Sequence, residues 1–390
     1  MRATDAGAAA ELFRRTFAAD PAGVWSAPGR VNLIGEHTDY NAGLCLPIAL
    51  PQRTYAACSP RDDGRLRVVS AQGEDVAEVR LDEVEPGHPA GWAAYVAGVP
   101  WALAKAGYAA CGLDAAVDSS VPLGAGLSSS AALECAVGAA LSDLCGLGLL
   151  DSADGRTALA AACVEAENAI AQAPTGGMDQ SAALLATGGH ALLLDCRDQH
   201  TEQVPFYLGH HGLSLLVVDT RAEHALVDGQ YAERRRSCEQ AARELGVPTL
   251  REVPPGGLAE RLGALSSDLL RRRATHVVTE IARVELAVQA LRDNDFEEVG
   301  RLFLESHASM RDDFEISCAE LDTAVAAAVA EGALGARMTG GGFGGSAIAL
   351  VQADAVDAAT AAVERAFADK GFRPPSCFAV AASTAASRDA

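Results

Sequence analysis

The chain is poor in lysine, since only Lys105 and Lys370 occur among its 390 residues. Many phosphate-binding sites use a lysine, either at the end of a GxxxxGK[ST] loop or on a strand of the protein-kinase type. Neither lysine lies in such a pattern or in one of the glycine-rich stretches of this chain. Both kinds of lysine-based phosphate site are therefore excluded.

Positive charge is scarce overall. Lysine and arginine total 31 against 52 aspartates and glutamates, so the formal net charge is −21. Such a chain repels nucleic acid and anionic membranes, and neither is an expected partner. The arginine triplets at 234–236 and 271–273 lie in helical contexts, where ion pairs or solvated helix faces are expected. A bound anion needs local help from backbone N–H groups, a helix N-terminus, an arginine or a divalent cation.

Cysteine motifs and long apolar runs are also missing. The ten cysteines form no CxxC pair and have no nearby histidine ligands. This argues against a zinc site or a disulfide framework and favours reduced, mostly buried thiols.

No apolar run reaches the roughly 18 residues that a membrane helix needs, and residues 1–20 are typical of an amphipathic helix rather than a signal peptide. We expect a soluble, cytoplasmic protein.

The organisation of the chain predicts an α/β (α+β) fold with two lobes. Hydrophobic residues make up 49% of the sequence and aromatic residues 5%, which suits cores of alanine, leucine and valine. A polar stretch at 196–212 predicts the boundary between an N-terminal lobe, residues 1–200, and a C-terminal lobe, residues 205–390. A strand at 24–34 is expected to be interrupted by a turn at 27–29. Further helices are predicted at 91–106, 129–144, 157–171, 230–245, 275–292, 296–309, 317–331 and 355–368, and further strands at 65–70, 76–81, 113–118, 191–195, 213–219 and 346–351.

Three separated stretches combine glycine with hydroxyl, arginine or carboxylate groups. In GAGLSSSA at 124–131, the loop leads directly into a helix whose first N–H groups have no partner within the helix. Those N–H groups and the serine hydroxyls can receive triphosphate oxygens, although plain N-capping by residues 128–130 is the alternative. MTGGGFGGS at 338–346 lets the backbone approach a ligand or another loop closely, or forms a tight turn into a strand.

The remaining stretch, GRVNLIGEHTDY at 29–40, is the most specific of the three. Arg30 offers a planar fork of donors, and Glu36, His37 and Asp39 gather polar groups that no ordinary helix or strand face would bury without a ligand. A carboxylate can accept two sugar hydroxyls, so the cluster suits a polyhydroxylated substrate. A solvated polar loop is the alternative, but the flanking aliphatic residues attach this segment to a core.

Two carboxylates, Glu167 and Asp179, provide the acids that a metal-assisted group transfer needs. Glu167 lies in a predicted helix, and Asp179 follows the segment PTGGM at 174–178. A lone carboxylate is usually a surface charge or a helix cap, and Glu165 on the same helix competes with Glu167 by composition. The residues alone leave that choice open.

Together these segments resemble the GHMP kinase family, and within it the members that phosphorylate galactose. The resemblance rests on the three glycine-bearing stretches and on GMDQ at 177–180, GQYAERRRSCEQ at 229–240 and ESHASMRDDFEISCAELD at 305–322. It covers nearly the whole chain. It implies the two-lobed GHMP kinase fold, with mixed sheets, helices and an active site in the cleft between the lobes. The sequence differs from the residues that are common in the family at Ser346, Asp219–Thr220 and 174–177. These differences affect the packing of loops more than the chemistry.

The resemblance also implies roles for individual residues. Asp179 would be the catalytic base or would position the sugar hydroxyl, and Arg30 would stabilise the transition state. The sugar would be contacted by Glu36, His37, Thr38, Asp39 and Tyr231. ATP would be held by Ser70, Gly124, Ala125, Gly126, Leu127, Ser128, Ser129 and Ser130. Mg²⁺ would be coordinated by Ser130 and by Glu167, which lies twelve residues before Asp179 as in the family.

The implied reaction transfers the γ-phosphoryl group of ATP to the anomeric hydroxyl of galactose, in a monomer or weak homodimer. One alternative is a galactose- and ATP-binding sensor without turnover, against which the intact phosphate loop argues. Another is a related GHMP kinase acting on mevalonate, homoserine or N-acetylgalactosamine. The predicted sugar contacts argue against the first two substrates, whereas the sequence leaves the substituent at the C2 carbon open.

Overall fold

Runs of strands and runs of helices follow one another along the chain in a computed structural model, which describes residues 4–73, 75–222 and 227–390. In chain order the elements are α1 (Ala6–Phe17), β1 (Gly23–Asn32), β2 (Leu44–Cys45), β3 (Pro47–Arg61), β4 (Arg65–Ser70), β5 (Ala77–Arg80), α2 (Ala93–Lys105), β6 (Gly112–Ser119), α3 (Ser129–Leu144), α4 (Ala153–Ala169), α5 (Met178–Leu185), β7 (His190–Asp195), β8 (His200–Pro205), β9 (Leu213–Asp219), α6 (Val227–Leu245), α7 (Leu258–Leu262), α8 (Asp268–Arg292), α9 (Phe296–Asp312), α10 (Ala319–Ala330), β10 (Gly335–Thr339), β11 (Ser346–Gln352), α11 (Val356–Lys370), β12 (Ser376–Val380) and β13 (Ser387–Arg388).

The first half of the chain forms most of a six-stranded mixed sheet, whose strand order is β13-β1-β3-β6-β4-β5. Strands β4 and β6 run parallel, whereas β1 and β3 run antiparallel. Helices cover both faces of the sheet: Val24 packs in the cluster with α1, and Trp25 packs in the cluster with α2, α3 and α4. Coverage on both faces explains why every residue of β1 is buried.

A four-stranded antiparallel sheet, in the order β10-β11-β9-β12, organises the second half. Its aliphatic residues, such as Leu216 and Ile348, share one core with residues of α8, α9 and α10. A smaller antiparallel sheet joins β2, β7 and β8. The end of the chain returns to the first sheet, because β13 pairs with β1. The division into lobes at residues 200–205 stays a prediction.

The predicted elements are present, but several begin earlier than predicted. Helix α4 begins at Ala153 because Ser152 caps it, its hydroxyl accepting the Gly155 N–H at 3.0 Å. Ser267 caps α8 in the same way at Leu270. The interruption of the first strand at 27–29 is wrong, since β1 continues through these residues with a bulge. Within the described ranges, no helix combines the length and the apolar character needed to cross a bilayer.

Candidate active site

Arg30 reaches the site through the bulge in β1. The register of β1 against β3 shifts between Pro28 and Arg30, and a bulge of this kind redirects a side chain. At the bulge the strand approaches the phosphate loop (residues 121–128), and the Arg30 N–H donates to the Leu127 carbonyl at 3.1 Å. A Cβ atom at Gly29 would lie 2.6 Å from that carbonyl oxygen, so glycine is required there.

The guanidinium of Arg30 binds Asp179 with two parallel hydrogen bonds. Arg30 Nε donates to Asp179 Oδ1 at 2.8 Å and Nη2 donates to Oδ2 at 3.0 Å. The remaining nitrogen, Nη1, donates to the Gly126 carbonyl at 2.7 Å. Two-point pairing fixes both side chains in direction as well as in distance. The site therefore brings together the two residues that the sequence assigns to catalysis.

Ser128 supplies a third donor to Asp179. Its hydroxyl donates to Asp179 Oδ2 at 2.6 Å, and its backbone is left-handed, with φ of 60°. In this conformation the Ser128 side chain makes no capping bond to α3. The alternative role of Ser128, capping the helix with its side chain, is wrong, because the hydroxyl donates to the carboxylate. The link places the start of α3 directly beside Asp179.

The other two glycine-bearing stretches converge on the phosphate loop. The Ala125 carbonyl accepts a hydrogen bond from the Ser346 hydroxyl at 2.8 Å, and a Cβ atom at Gly340 would lie 2.8 Å from the Gly126 carbonyl oxygen. The loop is thus held through its carbonyl oxygens by residues from distant parts of the sequence. The first N–H groups of α3 have no intrahelical partners and can receive an anion.

A cavity of about 150 Å³ opens beside the Arg30–Asp179 pair. We call it the sugar-side cavity. It is lined by Arg30, Glu36, His37, Asp39, Glu167, Pro174, Thr175, Met178, Asp179, Tyr231, Gly340 and Gly341. The predicted sugar contact Thr38 lies outside it, because the hydroxyl of this buried residue faces the backbone carbonyls of Gly35 and Leu44 and donates its single proton between them.

The pKa values of Asp39 and His37, which both line the cavity, are shifted in opposite directions. Burial, reinforced by the nearby charge of Asp179, raises the pKa of Asp39 to about 6. Burial lowers the pKa of His37 to about 3, so the ring is neutral at physiological pH. His37 Nε2 donates to the Gly341 carbonyl at 3.0 Å, and Nδ1 accepts from the Tyr40 hydroxyl at 2.7 Å. The ring thereby ties the first glycine-bearing stretch to the third.

Arg337 on β10 is a residue that the sequence reasoning missed. It is fully buried and forms an ion pair with Glu36. The other Glu36 oxygen, Oε1, accepts the Gly340 N–H at 3.0 Å. Arg337 also donates to the Leu33 carbonyl at 2.6 Å. The sequence did contain a signal for this residue, namely an arginine inside an otherwise apolar strand. A charge that is buried in such a strand needs a partner of opposite charge.

The carboxylate of Glu167 lies in a buried polar cluster. Its pKa is raised to about 7, first by burial and then by the charge of Asp179. Ser130 hydrogen-bonds to it, and Gln180 Nε2 donates to Oε2 at 2.5 Å. Glu165, the competing candidate, pairs instead with Lys105 at the surface. The structure therefore favours Glu167 over Glu165 for any role inside the site.

The same cluster has a donor set that fits Mg²⁺. A hydroxyl and a carboxylate are hard oxygen ligands, and Mg²⁺ is usually held by one or two carboxylates together with substrate phosphates. Two buried oxygens nearby, Glu134 Oε1 and Gln180 Oε1, have no hydrogen-bond partner. In the part of the chain that the structure describes, no group of three His, Cys, Asp or Glu side chains could hold an ion unaided. The fit therefore requires phosphate oxygens as further ligands.

A second cavity of about 210 Å³ lies on the other side of the phosphate loop. We call it the nucleotide-side cavity. It is lined by Thr54, Ser70, Gln72, Gly73, Trp92, Val117, Ser119, Leu123, Ser129 and Leu133. Ser70 and Ser129 were predicted to contact ATP, whereas Trp92 and Leu123 were missed. Leu123 is 65% exposed, which is unusual for a large aliphatic side chain beside a cavity.

Comparison with known proteins assigns the chain to a family. Residues 11–60 match the galactokinase galactose-binding signature, residues 94–187 the GHMP kinases N terminal domain and residues 287–369 the GHMP kinases C terminal domain. The chain is 51% identical over 387 residues to a galactokinase of Streptomyces coelicolor, and 98% of each chain is covered. This chain belongs to the galactokinase family. Human galactokinase is 45% identical over 357 residues, which cover 89% of this chain and 88% of the human protein.

Solved structures agree with that assignment. The galactokinase of Lactococcus lactis, in complex with galactose, superposes with a TM-score of 0.91 at 32% identity and covers 97% of this chain and 98% of its own. The mevalonate kinase of Methanococcus jannaschii reaches a TM-score of 0.64 at 15% identity, which shows a shared fold alone. The predicted GHMP kinase fold is confirmed, and the mevalonate and homoserine alternatives are not favoured.

Proposed function

We propose that this galactokinase-family chain transfers the γ-phosphoryl group of ATP to the anomeric hydroxyl of galactose, giving galactose 1-phosphate and ADP. One observation carries the proposal: the Arg30–Asp179 pair lines the sugar-side cavity and is bonded to the phosphate loop through Ser128 and Gly126. A sugar hydroxyl and a terminal phosphate can therefore meet at this pair.

The sugar-side cavity supplies the contacts for a hexose. We assign the main hydroxyl contact to Asp39, whose ionised carboxylate can accept two hydroxyl hydrogens. Tyr231 closes the cavity, with its ring 5.0 Å from that of His37 between centroids. His37 and Glu36 already hold protein partners, so their first role is to fix the cavity wall. Gly176 packs directly against the Asp39 carboxylate, because a Cβ atom there would lie 2.0 Å from Asp39 Oδ2.

Asp179 has one acceptor position left for the sugar. An ionised carboxylate offers about four lone-pair sites, and donors from Arg30 and Ser128 occupy three of them. The anomeric hydroxyl would donate to the remaining site, which orients its oxygen toward the γ-phosphorus. Because phosphoryl transfer passes through a loose transition state, positioning contributes most and proton removal can follow late. The hydroxyl proton would then pass to Asp179.

Arg30 would stabilise the charge that spreads over the transferring phosphoryl group. Its guanidinium lies between Asp179 and the phosphate loop and is only 6% exposed. A cation in such a water-poor place acts strongly on nearby developing charge. The pairing with Asp179 also holds the guanidinium in position before substrates bind.

ATP would bind across the phosphate loop. The N–H groups at the start of α3 and the hydroxyls of Ser129 and Ser130 would receive phosphate oxygens. The apolar nucleotide-side cavity would take the base, with Trp92 as a stacking surface and Ser70 at its edge. Ser130 and Glu167 would hold Mg²⁺, which neutralises triphosphate charge when bound.

The remaining predictions concern substrate specificity, cellular location and oligomeric state. N-acetylgalactosamine as substrate and binding without turnover are the alternatives, and neither is favoured by the family relatives, which are named galactokinase. A cytoplasmic location and a monomer or weak homodimer stay predictions from the sequence.

The test is product analysis with purified protein, Mg-ATP and a panel of galactose, glucose, mannose and N-acetylgalactosamine. We expect ADP release with galactose and a phosphorus NMR signal that couples to the proton on C1. Galactose binding without ADP release would support the sensor instead. Faster turnover of N-acetylgalactosamine would reassign the substrate, and phosphate on another carbon would refute the placement of the anomeric hydroxyl at Asp179.

A further inference from the structure

Two thiols far apart in the sequence lie in close contact. The Sγ atoms of Cys111 and Cys145 are 3.0 Å apart, and both residues are half-buried and free. The contact between Cys45 and Cys196 is looser, with 3.8 Å between the sulfurs, and Cys45 is fully buried. The first pair therefore combines the shorter distance with access from solvent on both sides.

Regular structure holds both cysteines in place. Cys111 immediately precedes β6, which pairs with β3 on one side and β4 on the other. Cys145 is the C-cap of α3, and its N–H donates to the Leu141 carbonyl at 3.0 Å. The approach of the two sulfurs thus follows from the packing of α3 on the sheet. Since a disulfide joins sulfurs at about 2.05 Å, a small side-chain adjustment closes the remaining gap.

We propose that Cys111 and Cys145 form a reversible disulfide when the protein meets a small-molecule disulfide such as oxidised glutathione. The Cys145 thiol loses its proton and attacks one sulfur of the reagent, which releases the first glutathione thiol. Cys111 then loses its proton and attacks the Cys145 sulfur of the mixed disulfide, which releases the second. Two protein thiols are oxidised, and one small disulfide is reduced to two thiols.

The order of attack follows from burial and proximity. Burial raises the pKa of the Cys111 thiol to about 12, which disfavours direct attack by this residue on a reagent in solution. Its attack on the mixed disulfide is intramolecular, and the short distance between the sulfurs favours it.

The bond would close a loop that contains the phosphate loop and all of α3. A cross-link of this kind restricts the unfolded chain and stabilises the native state if it causes no strain. The sulfurs lie at the end of α3 that is remote from Asp179, because 16 helical residues span roughly 24 Å. We therefore expect a higher melting temperature and little change in turnover.

The test is peptide mapping of the native protein after treatment with oxidised glutathione or a dithiol reductant. Free thiols are blocked, and the chain is cut after glutamate. Cleavage after Glu134 and Glu165 leaves Cys111 in one peptide and Cys135, Cys145 and Cys163 together in another. We expect a cross-linked peptide pair that reduction removes, that Cys145→Ala abolishes and that the matched control Cys135→Ala retains. Three outcomes would overturn the proposal. Cys111 and Cys145 could remain free thiols at every ratio of oxidised to reduced glutathione, Cys145 could keep a glutathione adduct, or the link could form to Cys135 instead.

A thermal melt gives a second readout that does not depend on activity. The oxidised wild type should melt several degrees above the reduced form, and Cys145→Ala should show no such difference. A disulfide that forms but lowers the melting temperature would contradict the inference that the native packing accommodates the bond.

Discussion

The two cavities beside the phosphate loop are built by different means. The sugar-side cavity consists of charged and polar side chains, and most of them are tied to other parts of the protein, as Glu36 is to Arg337. The nucleotide-side cavity has no charged side chain in its lining, and its surface is mainly apolar because Trp92, Val117, Leu123 and Leu133 face it between hydroxyl and amide side chains. One cavity is suited to orient reacting groups, and the other is suited to bury a flat apolar group.

This difference predicts how each cavity responds to change. Preorganised polar groups beside the transferred phosphoryl group act on the transition state, so losing Arg30 or Asp179 should reduce kcat strongly, whereas losing a group that only binds the sugar, such as Asp39, should weaken galactose affinity. Apolar walls act equally on the ground state and the transition state, so losing one should raise KM for ATP and leave kcat nearly unchanged. The following variants test that contrast, from the largest expected effect to the smallest.

Replacing Asp179 with asparagine should reduce kcat at least about a thousandfold, because the amide cannot take the proton or accept both Arg30 donors. Galactose affinity, measured by calorimetry without nucleotide, should change less than threefold. A coupled ADP assay gives kcat. Turnover close to that of the wild type would remove Asp179 from the reaction.

Arg30→Ala should reduce kcat at least about a hundredfold, because the guanidinium no longer stabilises the negative charge on the transferring phosphoryl group. The matched variant Arg30→Lys keeps the charge without the planar fork and should fall between Arg30→Ala and the wild type. The same ADP assay measures both. A loss below threefold in Arg30→Ala would place this guanidinium outside the reaction.

Asp39→Asn should weaken galactose binding about tenfold to a hundredfold, because hydrogen bonds to a charged acceptor are worth about 1.5–3 kcal/mol. In the wild type, the carboxylate is ionised above its pKa of about 6 and protonated below it. Galactose affinity should therefore fall as the pH drops from 8 to 5, whereas Asp39→Asn should bind weakly at each pH.

Calorimetry without nucleotide follows both proteins across that range. His37 stays neutral throughout, since its pKa is about 3. Glu167, with a pKa of about 7, titrates in the same window. A pH dependence that persists in Asp39→Asn would therefore belong to Glu167 and would contradict the assignment to Asp39.

Trp92→Ala should raise KM for ATP about tenfold, because a base stacked on an aromatic ring gains about 1–3 kcal/mol. kcat and galactose affinity should stay within twofold. Trp101→Ala is the matched control, since Trp101 lies on α2, the helix that Trp92 precedes, but not in the nucleotide-side cavity. Equal effects of the two variants on KM for ATP would show that the cavity does not hold the base.

The same contrast explains what could be predicted from the sequence. The polar groups of the first stretch lie within eleven residues, from Arg30 to Tyr40, so local spacing was enough to find them. The walls of the nucleotide-side cavity come from residues 54–133 and show no shared pattern. Trp92 looked like one more apolar position of a helix. Nothing local distinguishes a residue that lines a cavity from one that fills a core.

The fold shows a similar limit. The buried strand β9 was predicted at its observed bounds, and the helices with periodic apolar faces were predicted in the right places, although α4 and α8 begin four and seven residues earlier than expected. The long strand β3 (Pro47–Arg61) was missed, because its prolines at positions 47, 51 and 60 argue against a strand that is paired on both sides. The pairing of Ser128 with Asp179 was also missed, since it depends on tertiary contact between two loops and not on either loop alone.

A double-mutant cycle on Arg30 and Asp179 tests the central claim most directly. The rate of phosphoryl transfer to galactose is measured for the wild type, Arg30→Ala, Asp179→Asn and the double variant. If the two side chains act as one unit, the double variant should be about as slow as Asp179→Asn alone. If the two losses multiply, the side chains act independently, and the proposed joint role at the transferred phosphoryl group is wrong.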